Sequence, residues 1–201
     1  MRARGFTILE LLIALSIVAA LLAILLGGLR VGLSAWRQGE DRAEVHQHLR
    51  SLAGILSRSV GATFPYRMRP SQGGSPVIHF QGEERRLAFV TLAAPLPLAT
   101  PIAFTAVTFS HESEEHPGLS VWEKALPNEE PFEAERPVFV DPAVTEVSFR
   151  YLRPGGGWEE RWDGAAEDEL PQAVEIRLTT EIDGEAEPLP PLTLALRARG
   201  Q

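Results

Sequence analysis

One unbroken hydrophobic run dominates the beginning of the chain. Residues 11–29 carry no charge, and Ser16 is the only strongly polar side chain among these nineteen residues. About 20 apolar residues are enough for a helix to cross the hydrocarbon layer of a membrane. The pattern therefore predicts a transmembrane helix, which we place at residues 6–29.

Beyond this run, the apolar positions keep the period of a helix but occupy only one face. The apolar stripe consists of Val45, Leu49, Leu52, Leu56 and Val60. Its members are three or four residues apart, no proline occurs in residues 31–60, and Gly61 and Pro65 mark an end. The spacing predicts an amphipathic continuation of the helix over residues 30–62, with one face to be covered by the later part of the chain.

The rest of the chain, residues 63–201, has the pattern of β-structure. Apolar and polar residues alternate strictly at 147–151, 174–182 and 192–198, which is typical of half-exposed antiparallel strands. Shorter apolar runs predict four more strands. These lie at 77–80, 86–92, 106–110 and 119–123, the last two as a hairpin.

Loops and turns separate these strands. Prolines make 94–101 a linker, and 126–137 is a second loop, rich in proline and glutamate. Asp183-Gly184 predicts a turn before the last strand. The predicted class is α+β, with one long N-terminal helix packed on antiparallel sheet and a β-rich globular head at residues 63–201.

Charge is divided unevenly between the start of the chain and the rest. Residues 1–37 carry four arginines and one acidic residue, Glu10, out of totals of 19 basic and 27 acidic side chains. The remaining 15 basic and 26 acidic side chains give residues 38–201 a formal net charge of −11. Because this region is so acidic, it has no electrostatic footprint for nucleic acid or anionic lipid. Arg2 and Arg4 favour a cytoplasmic N-terminus, which places the head in the periplasm.

The carboxylate of Glu10 at the edge of the hydrophobic run needs an explanation, because such a group is costly near the apolar layer. A cleaved secretory signal is one alternative, but its apolar region spans about 7–15 residues, and the best cleavage site here, at 33–35, begins with a bulky leucine. An ordinary membrane anchor explains the length but neither Glu10 nor the Gly5-Phe6 junction. A prepilin-type signal explains all three, since it has a short basic leader ending in glycine, then phenylalanine, with glutamate as the fifth residue after the cut.

Residues 1–10, Met-Arg-Ala-Arg-Gly-Phe-Thr-Ile-Leu-Glu, resemble the prepilin pattern at every position. With the long helix and the β-rich head, the chain resembles the type IV pilin-like superfamily. Later segments resemble the J-type minor pseudopilin of type II secretion systems. These segments are 86–90, 144–151, 157–162 and 170–178.

The resemblance implies processing and assembly. A prepilin peptidase would remove residues 1–5 as a leader by cutting after Gly5, and would methylate the amine of Phe6. Glu10 would pair, within the membrane, with the N-terminal amine of a neighbouring subunit. The chain would be a single-pass inner-membrane protein at the tip of a pseudopilus that supports export of folded proteins across the outer membrane. Its implied partners are the major pseudopilin, the I- and K-type minor pseudopilins and, as a further candidate, the H-type.

Few residues offer any other chemistry. The chain has no cysteine, so a disulfide, a thiolate nucleophile and a zinc-thiolate site are excluded. An acidic cluster after Trp162 is a candidate for hard-cation binding, although it lacks the alternating acidic positions of an EF-hand and is better explained as a solvated turn. The cluster comprises Asp163, Glu167, Asp168 and Glu169. Neither a metal nor a cofactor is predicted.

Two classes of function remain open. The favoured class is a structural and assembly subunit without enzymatic activity, as a minor pseudopilin or, in a close variant, as a minor pilin of a type IV pilus. The alternative is a membrane-anchored periplasmic binding protein or enzyme. Gly5-Phe6 and Glu10 discriminate between the classes, because an anchored enzyme needs none of these residues.

Overall fold

The computed structural model describes residues 7–69, 73–96, 103–111, 117–182 and 185–196, with their side chains except at 35, 37–45 and 182. The chain divides into two compact units, Met1–His48 and Leu49–Gln201, which we call the anchor unit and the head unit. Helix α1, Ile8–Gly61, contributes residues to both.

The anchor unit is helical and apolar. Within it, Ile8–Ser34 is long and apolar enough to cross a membrane, with a mean hydropathy of 2.9 and no buried residues in its apolar window. The side chains from Ile8 to Leu33 that are large and hydrophobic are all more than half exposed. Such a surface is stable only in an apolar environment, so this segment is suited to a single-pass membrane anchor.

The head unit consists of short strands, one short helix and the end of α1. The strands before the connection at 126–138 are β1 Arg67–Met68, β2 Val77–Ile78, β3 Phe80–Gly82, β4 Arg86–Thr91, β5 Thr105–Ser110 and β6 Leu119–Ala125. The elements after it are β7 Phe139–Asp141, β8 Val144–Leu152, β9 Trp158–Glu159, β10 Trp162–Asp163, α2 Gly164–Glu167, β11 Ala173–Ile182, β12 Glu185–Pro188 and β13 Leu192–Ala195.

The strands form two main antiparallel sheets. One sheet has six strands in the order β10-β3-β4-β5-β6-β7. The other has the order β12-β11-β8-β9, with β13 also paired to β11, and β1 pairs separately with β2. The predicted α+β class is confirmed, and so is the hairpin of β5 and β6. The sequence pattern did not reveal that the strands divide between sheets, because alternation shows which face of a strand is buried but not its neighbour.

The apolar stripe of α1 is buried where the structure describes it. Leu49, Leu52, Leu56 and Val60 are at most 5% exposed. The last three belong to one core cluster with inward residues of both sheets, such as Phe89. This burial supplies the end of the helix with the tertiary packing that helices of this kind require.

Tyr151 on β8 joins the two sheets. Its ring is fully buried and meets Phe80 of the six-stranded sheet edge-on, at 6.0 Å between centroids. Its hydroxyl donates a hydrogen bond of 3.0 Å to the carbonyl of Glu83, and burial raises its pKa well above the usual value. A Cβ atom on Gly82 would lie 2.3 Å from this ring, so only glycine permits the contact.

Strands β12 and β13 lie in succession along the same edge of β11. β12 pairs with Thr179–Ile182 and β13 with Ala173–Ile176. The sequence pattern did not predict β12, because its Glu-Ala-Glu-Pro sequence is polar and fully exposed. The predicted turn at Asp183-Gly184 lies outside the described residues, and the last predicted strand ends at Ala195 within them.

The six-stranded sheet is buried on its outer face as well. Ala106 and Thr108 of β5 point away from the core but are 1% and 5% exposed. Residues 126–137, which we call the strap, cover this face with Pro131 and Phe132. Lys124 fixes the strap, since its Nζ donates to the carbonyls of Glu130 and Glu133 at 2.8 and 2.9 Å.

Candidate functional site

The N-terminus of α1 is built around a capping arrangement. The backbone N–H of Glu10 donates to Oγ1 of Thr7 at 3.2 Å, and the N–H of Leu11 donates to the carbonyl of Thr7 at 3.2 Å. Thr7 is thus the N-cap residue and Glu10 occupies the third helical position. The carboxylate of Glu10 also lies in the first turn, where the helix dipole favours a negative charge.

Glu10 is a carboxylate on an apolar helix surface. It is exposed, and its neighbours Ile8 and Leu9 are 83% and 68% exposed. In a hydrocarbon layer a carboxylate in this position gains most from one opposite charge supplied from outside the helix. Gly5 and Phe6, the predicted cleavage and methylation residues, lie outside the described residues.

The capping role of Thr7 was missed in the sequence, although the pattern could have shown it. Thr7-x-x-Glu10 immediately before a hydrophobic run has the form of a capping box. Glu10 stands at the position of this pattern whose side chain can cap the helix, so an experiment on Glu10 has to separate capping from the predicted pairing role.

The acidic cluster after Trp162 is dispersed among separate partners. Asp163 accepts a hydrogen bond of 2.9 Å from the N–H of Ala165 and so caps α2. Asp168 pairs with Arg67. Glu169 contributes its backbone carbonyl, which accepts from the indole N–H of Trp162 at 3.0 Å.

Arg153, which follows β8, is the centre of an ion-pair cluster with residues of β9 and α2. We call this region the Arg153 corner of the head. Its guanidinium donates to both carboxylate oxygens of Glu159 at 2.8 Å and to those of Glu167 at 2.9 and 3.0 Å. It also lies over the ring of Trp162, 5.1 Å from the centroid. Hydrogen bonds from Arg153 hold the pKa of Glu159 and of Glu167 below the usual carboxyl value. The sequence could not indicate this centre, because its members come from different turns and share no spacing motif.

The geometry of this corner suits a structural role better than a metal site. No group of three or more His, Asp or Glu side chains within the described part of the chain is placed to hold a metal ion. A cleft beside β3 and β10 is lined, among the described residues, mostly by polar and charged side chains. Its lining consists of Gln81, Gly82, Glu83, Arg161, Trp162, Asp163 and Glu167.

The Arg153 centre predicts a specific acid sensitivity. The pKa values of Glu159 and Glu167 are lowered in the fold from 4.5, so the unfolded chain binds more protons as pH falls. Their contribution to stability is complete above about pH 4.5 and is lost as pH falls through the lowered values. Arg153→Met should remove most of this pH dependence, as measured by urea unfolding at pH 6, 4.5 and 3.

The matched control for that experiment is Arg161→Met. Arg161 is an exposed arginine of the same corner and takes no part in the hydrogen bonds of Arg153. The Arg161→Met variant should therefore show the same dependence of unfolding free energy on pH as the unmodified chain. An Arg153→Met chain with unchanged acid sensitivity would show that these ion pairs do not contribute to stability.

Comparison with protein families gives two matches. A family model described as Type II secretion system (T2SS), protein J matches residues 27–189, and one described as Prokaryotic N-terminal methylation motif matches residues 1–26. The first match covers more than half of the chain and includes every strand from β1 to β12. The second contains Gly5, Phe6 and Glu10. No curated protein matches the chain significantly.

Proposed function

The chain belongs to the type II secretion system protein J family, and on that premise we propose that it acts at the tip of a pseudopilus, where it joins other minor pseudopilins. The chain is a minor pseudopilin of the type II secretion system. The J-type resemblance is confirmed, and a minor pilin of a type IV pilus is not favoured. The match of the head to this family is the observation that carries the proposal.

Processing at Gly5-Phe6 is the second part of the proposal. A prepilin peptidase removes residues 1–5 and methylates the new amine of Phe6. The match of residues 1–26 to the methylation motif supports this step. After cleavage the amine stands one residue before the N-cap Thr7, at the positive end of the helix dipole, where a cation is disfavoured. A carboxylate from a neighbouring subunit relieves that cost, and Glu10 is suited to supply it.

The placement of the chain in the envelope follows from charge and hydropathy. The N-terminal apolar helix and the prepilin-like motif indicate a single-pass membrane anchor. We propose that this membrane is the inner membrane, with Arg2 and Arg4 on the cytoplasmic side and the head in the periplasm. Residues 6–29 then span the membrane, residues 30–62 continue the helix and residues 63–201 form the head.

The partners and chemistry of the head complete the proposal. Type II secretion pseudopilins are structural subunits, and assembly with other pseudopilins follows from family membership. We propose that the partners are the major pseudopilin and the I- and K-type minor pseudopilins, with the H-type as a further candidate. The chain acts without enzymatic activity, cofactor or nucleic acid. The net charge of −11 on residues 38–201 supports the exclusion of nucleic acid.

Copy number along the filament tests the tip position. We expect a fixed number of copies per pseudopilus, so the ratio of this chain to the major pseudopilin should fall as filaments lengthen. Quantitative mass spectrometry of sheared filaments, fractionated by length, measures the ratio. A ratio independent of length would place the chain along the shaft and contradict the proposal. Loss of secretion on deleting the gene, restored by the full chain, is the accompanying functional control.

A further inference from the structure

His79 has an unusual position under the strap. It lies directly before β3 and is half-buried on the outer side of the six-stranded sheet. Its imidazole donates a hydrogen bond to the backbone of Met68. Its other ring nitrogen, Nε2, is buried and has no hydrogen-bond partner among the residues that the structure describes. In the neutral ring this nitrogen is an unused acceptor; in the protonated ring it is a donor that requires an acceptor.

The strap covers His79 with an apolar ring. The rings of His79 and Phe132 are 6.0 Å apart between centroids and are inclined by 57°. The neighbouring Pro131 is buried against the sheet face that carries Thr108. No strand or helix runs through the strap. A segment outside the helices and strands opens at a lower free-energy cost than the whole fold.

We propose that His79 and the strap form a proton-operated latch, in which protonation of Nε2 creates an N–H⁺ without an acceptor in the closed arrangement and the strap lifts to admit water. The proton comes from solvent and no bond in the chain is broken. Opening uncovers the outer face of the sheet, including Thr108 and Trp122. The inference is independent of the proposed function.

Burial, and not a neighbouring charge, is the largest influence on the pKa of His79. The charged groups on the elements around His79 are Arg67 of β1, Glu123 and Lys124 of β6, and five residues of the strap, Glu129, Glu130, Glu133, Glu135 and Arg136. Glu123 accepts a hydrogen bond of 2.8 Å from the backbone N–H of Leu96, and burial raises its pKa above the usual carboxyl value. Arg67 pairs with Asp168, and Lys124 donates to strap carbonyls. The pKa of His79 is lowered below 6.5 by burial, opposed by the hydrogen bond to Met68.

The direction of the effect follows from this shift. The closed state binds the proton more weakly than an open state in which His79 has its ordinary pKa of 6.5. The latch is therefore fully stabilised above about pH 6.5. Its stability falls as pH drops below 6.5 and levels off once the pH is below the lowered pKa of the closed state.

Thiol labelling can detect the opening, because the chain has no cysteine of its own. Thr108→Cys places one thiol under the strap at a position that is 5% exposed. The labelling rate by a disulfide reagent is measured on the full chain in detergent micelles and divided by the rate for the urea-unfolded chain at the same pH. This ratio should rise between pH 7.5 and 5.5, by at most about tenfold, which is the limit for one proton and an open-state pKa of 6.5. Adding His79→Gln should abolish the rise.

Three controls keep the test decisive. Ser59→Cys, at a fully buried position on α1, should label equally slowly at both pH values; an equal rise there would mean global unfolding and overturn the latch. In the double variant Thr108→Cys/Phe132→Ala, the thiol should be labelled rapidly at both pH values. Slow labelling of this double variant would show that the strap does not cover this site. The latch would also be overturned if the labelling-rate ratio of Thr108→Cys did not change with pH, or if its rise at low pH persisted in the variant that also carries His79→Gln. His79→Asn serves if His79→Gln does not fold.

Discussion

Replacement of Glu10 by glutamine is expected to leave the chain in the membrane but to reduce its incorporation into pseudopili by about 100-fold or more. Breaking one partner of a charge pair in a low-dielectric layer costs roughly 3–5 kcal/mol, because the other charge stays unpaired. The hydrophobic run at residues 11–29 is unchanged, so insertion is unaffected. The fraction of the chain that co-sediments with sheared filaments, relative to the total membrane fraction, measures the effect.

Glutamine is chosen because it preserves the local role of Glu10. It can occupy the third position of a capping box as well as glutamate does, but it carries no charge. Thr7→Ala is the matched control: it removes the hydroxyl that accepts from the N–H of Glu10 and keeps the carboxylate. Thr7→Ala should assemble nearly normally. If Glu10→Gln assembles normally, the charge of Glu10 does not pair subunits, and failure of Thr7→Ala in the same assay would assign the effect to the cap at Thr7.

Leu52→Asp is expected to unfold the head unit. Leu52 is 5% exposed within the core cluster, so the substitution removes a buried leucyl side chain and places an unpaired charge in the core. The first loss costs about 2–5 kcal/mol and the buried charge adds several more. Domains of this size have a free energy of unfolding of roughly 5–15 kcal/mol. The two losses together therefore remove most or all of the free energy of unfolding of the head unit. Near-ultraviolet circular dichroism and urea unfolding of the full chain in micelles measure the outcome.

Ser51→Asp controls for adding a charge to the helix. Ser51 is the exposed neighbour of Leu52 on α1, so an aspartate there remains in contact with water. This variant should stay folded, with a change in the free energy of unfolding within about 0.5 kcal/mol. A stable Leu52→Asp chain would mean that the apolar stripe does not pack on the sheets as the structure places it.

The amphipathic helix shows what could be predicted from sequence and why. Leu49, Leu52, Leu56 and Val60 have the period of a helix face, and that face is buried. The same logic located β8 and β11, whose alternating residues have one buried and one more exposed face. Local periodicity succeeds where each element has one side in the core.

The arrangement of the sheets could not be predicted in this way. β4 and β5 are buried on both faces, and the strap covers the outer side of β5, which would otherwise face solvent. β12 follows from pairing with β11 and not from its own polar sequence. Both features depend on contacts between segments distant in sequence, and the tertiary context overrides local pattern there.

The candidate sites show the same contrast between local sequence pattern and contacts distant in sequence. The prepilin pattern at residues 1–10 is contiguous, and the match to the methylation motif covers it. The acidic cluster is a cation-site candidate from sequence proximity alone, with a solvated turn as the better explanation, and the fold directs Asp163, Glu167 and Asp168 to three different partners. A contiguous motif can be recognised from the sequence alone, whereas a group of charges close in sequence need not converge on one point.

The N-terminus of the mature protein tests the central claim most directly. Intact-mass and peptide mass spectrometry should be applied to the chain from membranes of cells with and without the prepilin peptidase. With the peptidase, the first five residues should be absent and the amine of Phe6 should carry a methyl group; without it, Met1 or the start of the leader should remain. A chain that keeps its leader in the presence of the peptidase, or one cut near Ala35, would contradict the assignment as a processed pseudopilin.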